Sequence, residues 1–386
     1  MDDINPTGTM KKYSDIFFFN SSMGVGGVPR VVSLWANYLD EKGCRVHTVS
    51  NIKSEHFYKF NDTITHHIIS INRFRQVNPA RTLYNLYKFH KNLRNCVCIY
   101  NKGLYVPYIS LLRSLRLIHD TVRTVYFMHG GSSDFKTMNN HLRQLLIRKY
   151  FGKIIALHND YESFIVPTNY RVSFTRKIVD FLIRDQWKYV KENITYIENP
   201  VSFRSNRGIG MKKNQILAVG RLDRNKGFDR LINIWVEIMK HVDDWELKII
   251  GNGELEDELR LLIEIHDINN INLIDATKGI QLHFEESAVY AMTSKEEGLP
   301  MVLLEAMECC MPIVAFENVG TRYLVNNNKN GFLCNFGDTD SFVDCLLKLI
   351  ENKSLRQKFG LASKKMVKKY YIENLYHKFD EVLKLS

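Results

Sequence analysis

From residue 15 onward the chain alternates short apolar runs with longer amphipathic stretches, and few folds accept that alternation. Apolar runs bounded by turn residues suit strands buried on both faces, and the amphipathic stretches between them suit crossover helices, which together make a parallel sheet. Strands are predicted over residues 15–20, 45–50, 65–71, 96–100, 123–128 and 153–157, and helices over 28–42, 80–94, 106–117 and 139–150. The same grammar restarts after residues 194–197 and the turn at Asn199-Pro200. Polar residues 202–214 read as a linker and hinge, and strands recur over 215–219, 246–250, 271–274, 288–292, 313–316 and 331–334. With 386 residues, 45% of them apolar, the chain has material for two cores. The expectation is an α/β protein of two Rossmann-like domains, 1–200 and 201–371, whose ligand site lies at the carboxyl ends of the strands, in a cleft between the halves.

No window approaches the ~18 apolar residues of a membrane-spanning helix. Seven cysteines, an odd number without paired ligand spacing, read as reduced thiols of a cytoplasmic protein. Asp2 and Asp3 stand where a secretory signal would need basic residues. Charge is one-sided: residues 1–200 hold 28 Lys and Arg against 15 Asp and Glu, residues 201–386 hold 25 against 27, so the halves carry +13 and −2 of the total +11. The first half is suited to an anionic partner: a phospholipid surface, a phosphorylated acceptor or a nucleic acid.

Four segments carry candidate chemistry. The most specific runs from Ser294 to Met307 and places Glu297 in the loop after a strand and Glu305 eight positions on, inside the following helix. That spacing is not one helical face, so the two carboxylates would serve different parts of one ligand, as acceptors for sugar hydroxyls. Pro300 suits a first helical turn, and the backbone N–H groups of Gly298, Leu299, Met301 and Val302 suit an anion such as phosphate. The second segment, Val219 to Ile232, follows strand 215–219 with Gly220, Arg221 and Lys226 before a helix; two cations there would clamp a diphosphate. The third is Gly24-Val25-Gly26-Gly27 with Arg30, after strand 15–20. Its glycines permit close backbone approach to phosphate or sugar, but it fails the Gly-x-Gly-x-x-Gly spacing of nicotinamide and flavin sites. The fourth is His129, at the end of strand 123–128 before Gly130 and Gly131, placed to reach into a cleft; His66-His67, within a strand, reads as structural.

Taken together, these strings resemble the family 4 retaining glycosyltransferases of GT-B architecture over nearly the whole chain. The Gly26-Gly27 loop with Arg30, His129, Asn199-Pro200-Val201, Gly220-Arg221 to Lys226-Gly227, Ile250-Gly251-Asn252-Gly253 and the Glu297 to Glu305 string stand in that family's order and approximate spacing. The resemblance implies a C-terminal domain that binds a nucleotide sugar, with Glu305 on the ribose hydroxyls, Arg221 and Lys226 on the diphosphate, and Glu297 with the backbone of 298–301 on the sugar and distal phosphate. It implies that His129 reaches the donor sugar, that Gly26-Gly27 packs against phosphate and acceptor, and that a last helix, 372–385, crosses back to the first domain. It also implies retention of anomeric configuration by front-face attack, the leaving diphosphate taking the acceptor's proton. No Asp-x-Asp metal motif is read at a strand end of either half, so neither a metal nor another cofactor is expected. Two departures weaken the base and donor assignment: 273–277 lacks the usual Gly, and 317–322 has Gly320-Thr321-Arg322 in place of a double Gly with an acidic residue.

The resemblance implies transfer of a hexose or N-acetylhexosamine, UDP-linked by family habit, to a glycan acceptor carried on a polyprenyl diphosphate, in assembly of O-antigen or capsule. Residues 175–191, with Arg176, Lys177, Arg184 and Lys188 among Phe181, Trp187 and Tyr189, suit peripheral contact with an anionic membrane. The rival readings are a nucleotide-sugar epimerase of similar shape and a non-catalytic glycan or nucleic-acid binder; no recognised nucleic-acid motif supports the last.

Overall fold

Residues 15–52, 55–69, 79–101, 103–129, 150–157, 194–208, 210 and 212–384 are described by a computed structural model. They fall into two compact units, Met1–Glu198 with Leu375–Ser386, and Asn199–Asn374. In the first, the apolar runs become parallel strands β1 (Asp15–Asn20), β2 (Arg45–Ser50), β3 (Thr65–Ile68), β4 (Cys96–Tyr100), β5 (Val122–Phe127), β6 (Lys153–Ala156) and β7 (Ile194–Tyr196), in the order β3-β2-β1-β4-β5-β6-β7. The middle strands are buried on both faces, β4 entirely, as helices α1 (Gly27–Glu41), α2 (Pro79–His90) and α3 (Val106–Ser114) require. Helix α1 turns Val31, Val32, Trp35, Ala36 and Leu39 into the core.

The second unit repeats the plan with β8 (Lys213–Val219), β9 (Glu246–Ile250), β10 (Ile271–Ile274), β11 (Ser287–Met292), β12 (Ile313–Phe316) and β13 (Gly331–Cys334), ordered β10-β9-β8-β11-β12-β13. Its helices are α4 (Phe228–Ile238), α5 (Glu256–Ile265), α6 (Ile280–Glu286), α7 (Met301–Glu308), α8 (Val319–Leu324), α9 (Thr339–Glu351) and α10 (Lys353–Val367). Trp235, Leu231, Val289, Phe316 and Phe342 belong to one continuous core. In each sheet the first and fourth strands lie side by side, β1 with β4 and β8 with β11. Connections leave that pair in opposite directions, so a crevice opens at the strands' carboxyl ends. A last helix, α11 (Ile372–Lys384), brings its second half to the first unit. There Phe379 stacks on Trp35 with ring centroids 4.3 Å apart, and Lys378 pairs with Glu198 at 2.8 Å.

Several sequence expectations shift. Helix α2 ends at His90, short of residue 94, and helix α3 stops short of residue 117 because Arg116 takes a left-handed φ of 54° without a glycine to announce it. The third strand is described to Ile68 rather than 71. Of helix 139–150 only Tyr150 lies within the described residues, and the whole of 175–191 lies outside them. The stretch 202–214, expected as a linker and hinge, is instead held by the second unit. Ser202 donates to Glu305 at 2.7 Å, Ser205 donates its N–H to Glu308 and its hydroxyl to Glu285, and Lys212 caps the carbonyls of Phe284, Glu285 and Ser287. Lys213 and Asn214 already belong to β8. Ser202 and Ser205 there meet carboxylates of the second unit rather than water, while Arg204, Asn206 and Arg207 between and after them stay exposed, a distinction composition does not carry.

Candidate functional site

At the crevice of the second sheet, β8 delivers Gly220 to Gly227 and β11 delivers Thr293 to Pro300. Asp223 shapes the first loop: its carboxylate accepts the N–H groups of Asn225 and Lys226 at 3.1 and 3.2 Å and the Arg221 Nε at 2.6 Å. The glycines of the next turn lie under this loop, where a Cβ on Gly251 would overlap the Gly220 carbonyl and one on Gly253 the Leu222 carbonyl. The two loops are then zipped together. Asn225 donates Nδ2 to the Glu296 carbonyl at 2.9 Å and accepts the Glu296 N–H at 3.1 Å, while its own carbonyl accepts Lys295 N–H at 2.8 Å. Thr293 adds bonds from its hydroxyl to the Lys226 and Gly227 carbonyls, both 2.9 Å.

This zipper brings Lys226 Nζ to 2.5 Å from Glu297 Oε1, with the side chains only 19% and 12% exposed. Sequence reasoning gave the two residues separate tasks on one ligand; the structure joins them as a partly buried ion pair. Gly220 makes room for the lysine stem, since a Cβ there would sit 3.2 Å from it. Arg221 lies on the same loop but is largely exposed, 77%, and engaged only with Asp223 among the contacts described. Helix α7 begins at Met301 after Pro300 with no side-chain cap. The N–H groups of Met301 and Val302 therefore face the crevice end of the helix as donors that no helix can satisfy internally.

Behind Glu297 the third loop acts as a brace. Gly320 N–H donates to the Glu297 carbonyl at 3.2 Å, a Cβ on Gly320 would stand 2.5 Å from the Gly298 carbonyl, and Asn318 donates to the Ser294 carbonyl. Gly320 and Thr321 of the unusual Gly320-Thr321-Arg322 are thus what this brace uses, Thr321 closing a capping box on Asn318 at the start of α8, while Arg322 pairs with Glu317. Asn199 donates to the Leu299 carbonyl at 2.8 Å from the other side. Glu305 is fully buried on α7 and accepts the Ser202 hydroxyl, so a sugar hydroxyl on it would share or replace that bond. Tyr290, also buried, exchanges hydrogen bonds with Val219 at 3.2 Å. Burial, with the nearby Glu305 and Glu297 charges adding, pushes its phenol well above the ordinary range, so it stays neutral. Asp338-Thr339-Asp340, after β13, is an Asp-x-Asp near a strand end and corrects the expectation that neither half carries one; Asp338 caps α9 through Ser341 N–H and Oγ at 3.1 and 2.8 Å.

In the first unit, the carboxyl ends of β1, β4 and β5 carry the remaining candidates. Gly26, at φ 151°, starts α1 and donates its N–H to the Tyr58 hydroxyl at 3.3 Å, with Arg30 over the Tyr58 ring. Gly27 is the first helical residue, without a side-chain cap or an acidic neighbour in the first turn. His129 follows β5, packs on Phe127 with centroids 4.1 Å apart, and its Nε2 lies 2.8 Å from Asn101 Oδ1. Asn101 in turn donates to the Phe19 carbonyl, fixing the imidazole through β4 and β1. Gly130 and Gly131 lie outside the described residues. The sequence reading missed Asp223, Asn225, Ser202 and Asn101. Each acts on a partner distant in sequence, or on backbone, and only Asp223, three residues before Lys226 at a strand end, had a local turn signal.

Comparison with known proteins bears on this arrangement directly. Residues 202–366, which include every second-unit residue above except Asn199, match the family model described as glycosyl transferases group 1. The chain is 29% identical over 384 residues, 97% of its own length and 100% of the other's, to an uncharacterized glycosyltransferase of Haemophilus influenzae. It is 26% identical over 381 residues, 96% and 99% of the two lengths, to the amylovoran biosynthesis glycosyltransferase AmsD of Erwinia amylovora. Among solved structures it is similar to Anabaena HepE in complex with UDP-glucose, with TM-score 0.74 and 16% identity over 96% of this chain and 99% of that one. The chain has the GT-B fold, two Rossmann-like α/β domains, and carries a glycosyl transferases group 1 domain over residues 202–366.

Proposed function

We propose that the protein is a retaining, metal-independent glycosyltransferase that moves a hexose or N-acetylhexosamine from a UDP-sugar to a polyprenyl-diphosphate-linked glycan during assembly of a bacterial surface polysaccharide such as O-antigen or capsule. The observation that carries the reading is the Lys226–Glu297 pair held between two zipped loops at the β8/β11 crevice, beside the uncapped start of α7. A donor diphosphate entering there exchanges Glu297 for phosphate as the partner of Lys226, with Arg221 free to swing from Asp223 onto the same group. Charge that develops on the leaving diphosphate then meets a lysine, an arginine and a helix N-terminus already in place, which lowers the barrier without a metal ion. Glu297, released, faces the sugar hydroxyls, and Glu305 takes a ribose hydroxyl in place of Ser202. The acceptor oxygen attacks the anomeric carbon on the face the diphosphate leaves, the C–O bond to phosphate breaks, and the acceptor proton passes to the departing phosphate oxygen.

The Erwinia relative's name supports the polysaccharide setting and the nucleotide in the Anabaena structure supports UDP. No described helix is long and apolar enough to cross a membrane, and we place the enzyme in the cytoplasm, peripheral to the inner membrane face. The test is nucleotide release from UDP-, GDP- and ADP-sugars by the purified protein, since slow donor hydrolysis needs no acceptor. Release from one donor, insensitive to chelator and suppressed by Lys226→Ala and Glu305→Ala in folded protein, is the expected result. Release that chelator abolishes and manganese restores refutes the metal-free mechanism. Conversion of the sugar without acceptor or release identifies an epimerase instead.

A further inference from the structure

Between Asp62 and Asp120 the chain has no acidic residue and nine Lys and Arg. Two described helices of this segment, α2 and α3, pack against each other. Along α2 and its next residue, Arg81, Tyr84, Lys88 and Lys91 recur at helical spacing and all are exposed, Tyr84 to 61%. They form one outward stripe, cationic with an aromatic amphiphile in it. Helix α3 has the opposite peculiarity. Val106, Ile109 and Leu112 are buried, as a helix packed on a sheet needs, yet Leu111 and Leu115 on its other side are exposed to 43% and 56%, with Leu104 ahead of the helix on the same line. A surface helix apolar on both sides has half of its pattern unexplained by the fold.

We propose that the paired outer faces of α2 and α3 dock on an anionic phospholipid surface. Exposed leucines on one helix and a row of lysine and arginine with a tyrosine among them on the helix packed against it match the acyl–headgroup boundary: the leucines enter the apolar layer and the cations stay at the phosphates. A nucleic acid would use the cations and leave the leucines in water. The inference deepens the membrane part of the proposed function and takes from that reading only the reason a membrane would matter. It also names a surface other than residues 175–191.

The test uses the full chain and vesicles of phosphatidylglycerol mixed with phosphatidylcholine, against phosphatidylcholine alone. Cosedimentation is expected to favour the anionic vesicles. Lys88→Gln with Lys91→Gln is expected to lower partitioning about thirtyfold, from the contribution of two cations near a charged surface. Leu111→Ser with Leu115→Ser is expected to lower it at least about tenfold while leaving its salt dependence intact. Both double variants should keep their thermal midpoint and their donor hydrolysis in vesicle-free buffer. Equal sedimentation with both lipids overturns the proposal, as does wild-type vesicle binding by both variants. Binding to single-stranded RNA in place of vesicles also overturns it. Loss of donor hydrolysis with vesicle binding intact refutes the transferase reading alone.

Discussion

The Lys226–Glu297 pair offers the sharpest quantitative test. Both side chains are more than four-fifths removed from water at 2.5 Å separation, so deleting either strands a charge. Stranding a buried charge costs about 3–5 kcal/mol, and the residual exposure puts this pair near the lower end. Lys226→Met and Glu297→Gln should therefore each destabilise the second domain by about 3 kcal/mol, whereas the double variant loses only about 1–2 kcal/mol, giving a coupling of about 4–5 kcal/mol. Urea unfolding followed by hydrogen exchange in peptides from β8 and β11 isolates that domain from the first. Nucleotide binding provides the second arm: Glu297→Gln frees the lysine and should tighten UDP binding, while Lys226→Met should weaken it. Additive destabilisation, with a coupling below about 0.5 kcal/mol, refutes the idea that the pair stores the site's charge. Equal UDP affinity in the two single variants refutes the exchange of carboxylate for phosphate.

Two further outcomes are expected. Gly251→Ala drives a methyl group into the Gly220 carbonyl, so it should cost at least about 1–3 kcal/mol of stability and weaken donor binding by displacing the Arg221–Lys226 loop; a neutral thermal midpoint contradicts the packing. His90 is completely buried, with Nδ1 on the Leu86 carbonyl and Nε2 on the Tyr100 hydroxyl, both 2.7 Å, and burial lowers its pKa to about 4. Unfolded, it would bind a proton near pH 6.5, so its contribution is complete above that pH and falls as pH drops from 6.5 to 4, by about 2 kcal/mol at pH 5. Stability measured across that window should be flatter in His90→Phe than in the wild type, and parallel curves refute the assignment.

Strands were legible because a run such as Cys-Val-Cys-Ile-Tyr at 96–100 has no other place to go than between two helix layers. The loops bearing chemistry were legible because Gly220 follows such a run directly and Gly298 stands six residues after another, just before a helix. Partnerships were not: Lys226 and Glu297 are 71 positions apart, and only the side-by-side placement of β8 and β11 brings them together. For the same reason the polar stretch after Pro200 looked like a linker, although Glu305, Glu308 and Glu285 await it. The end of α3 escaped because the residue that turns left-handed there, Arg116, is not a glycine. Asp338 shows the converse hazard, an apparent metal motif spent on capping a helix.

The return of the last helix has a consequence for biosynthesis. Phe379 and Val382 are fully buried, and Phe379 completes the core around Trp35, so the N-terminal domain cannot close that core before residue 379 has been made. At a synthesis rate of about 5–20 residues per second, the stretch from Glu198 to Phe379 occupies roughly 9–36 s. During that interval the emerging first domain keeps its Trp35 face open, a natural station for a chaperone, whereas the second domain has all of its own strands and can fold first.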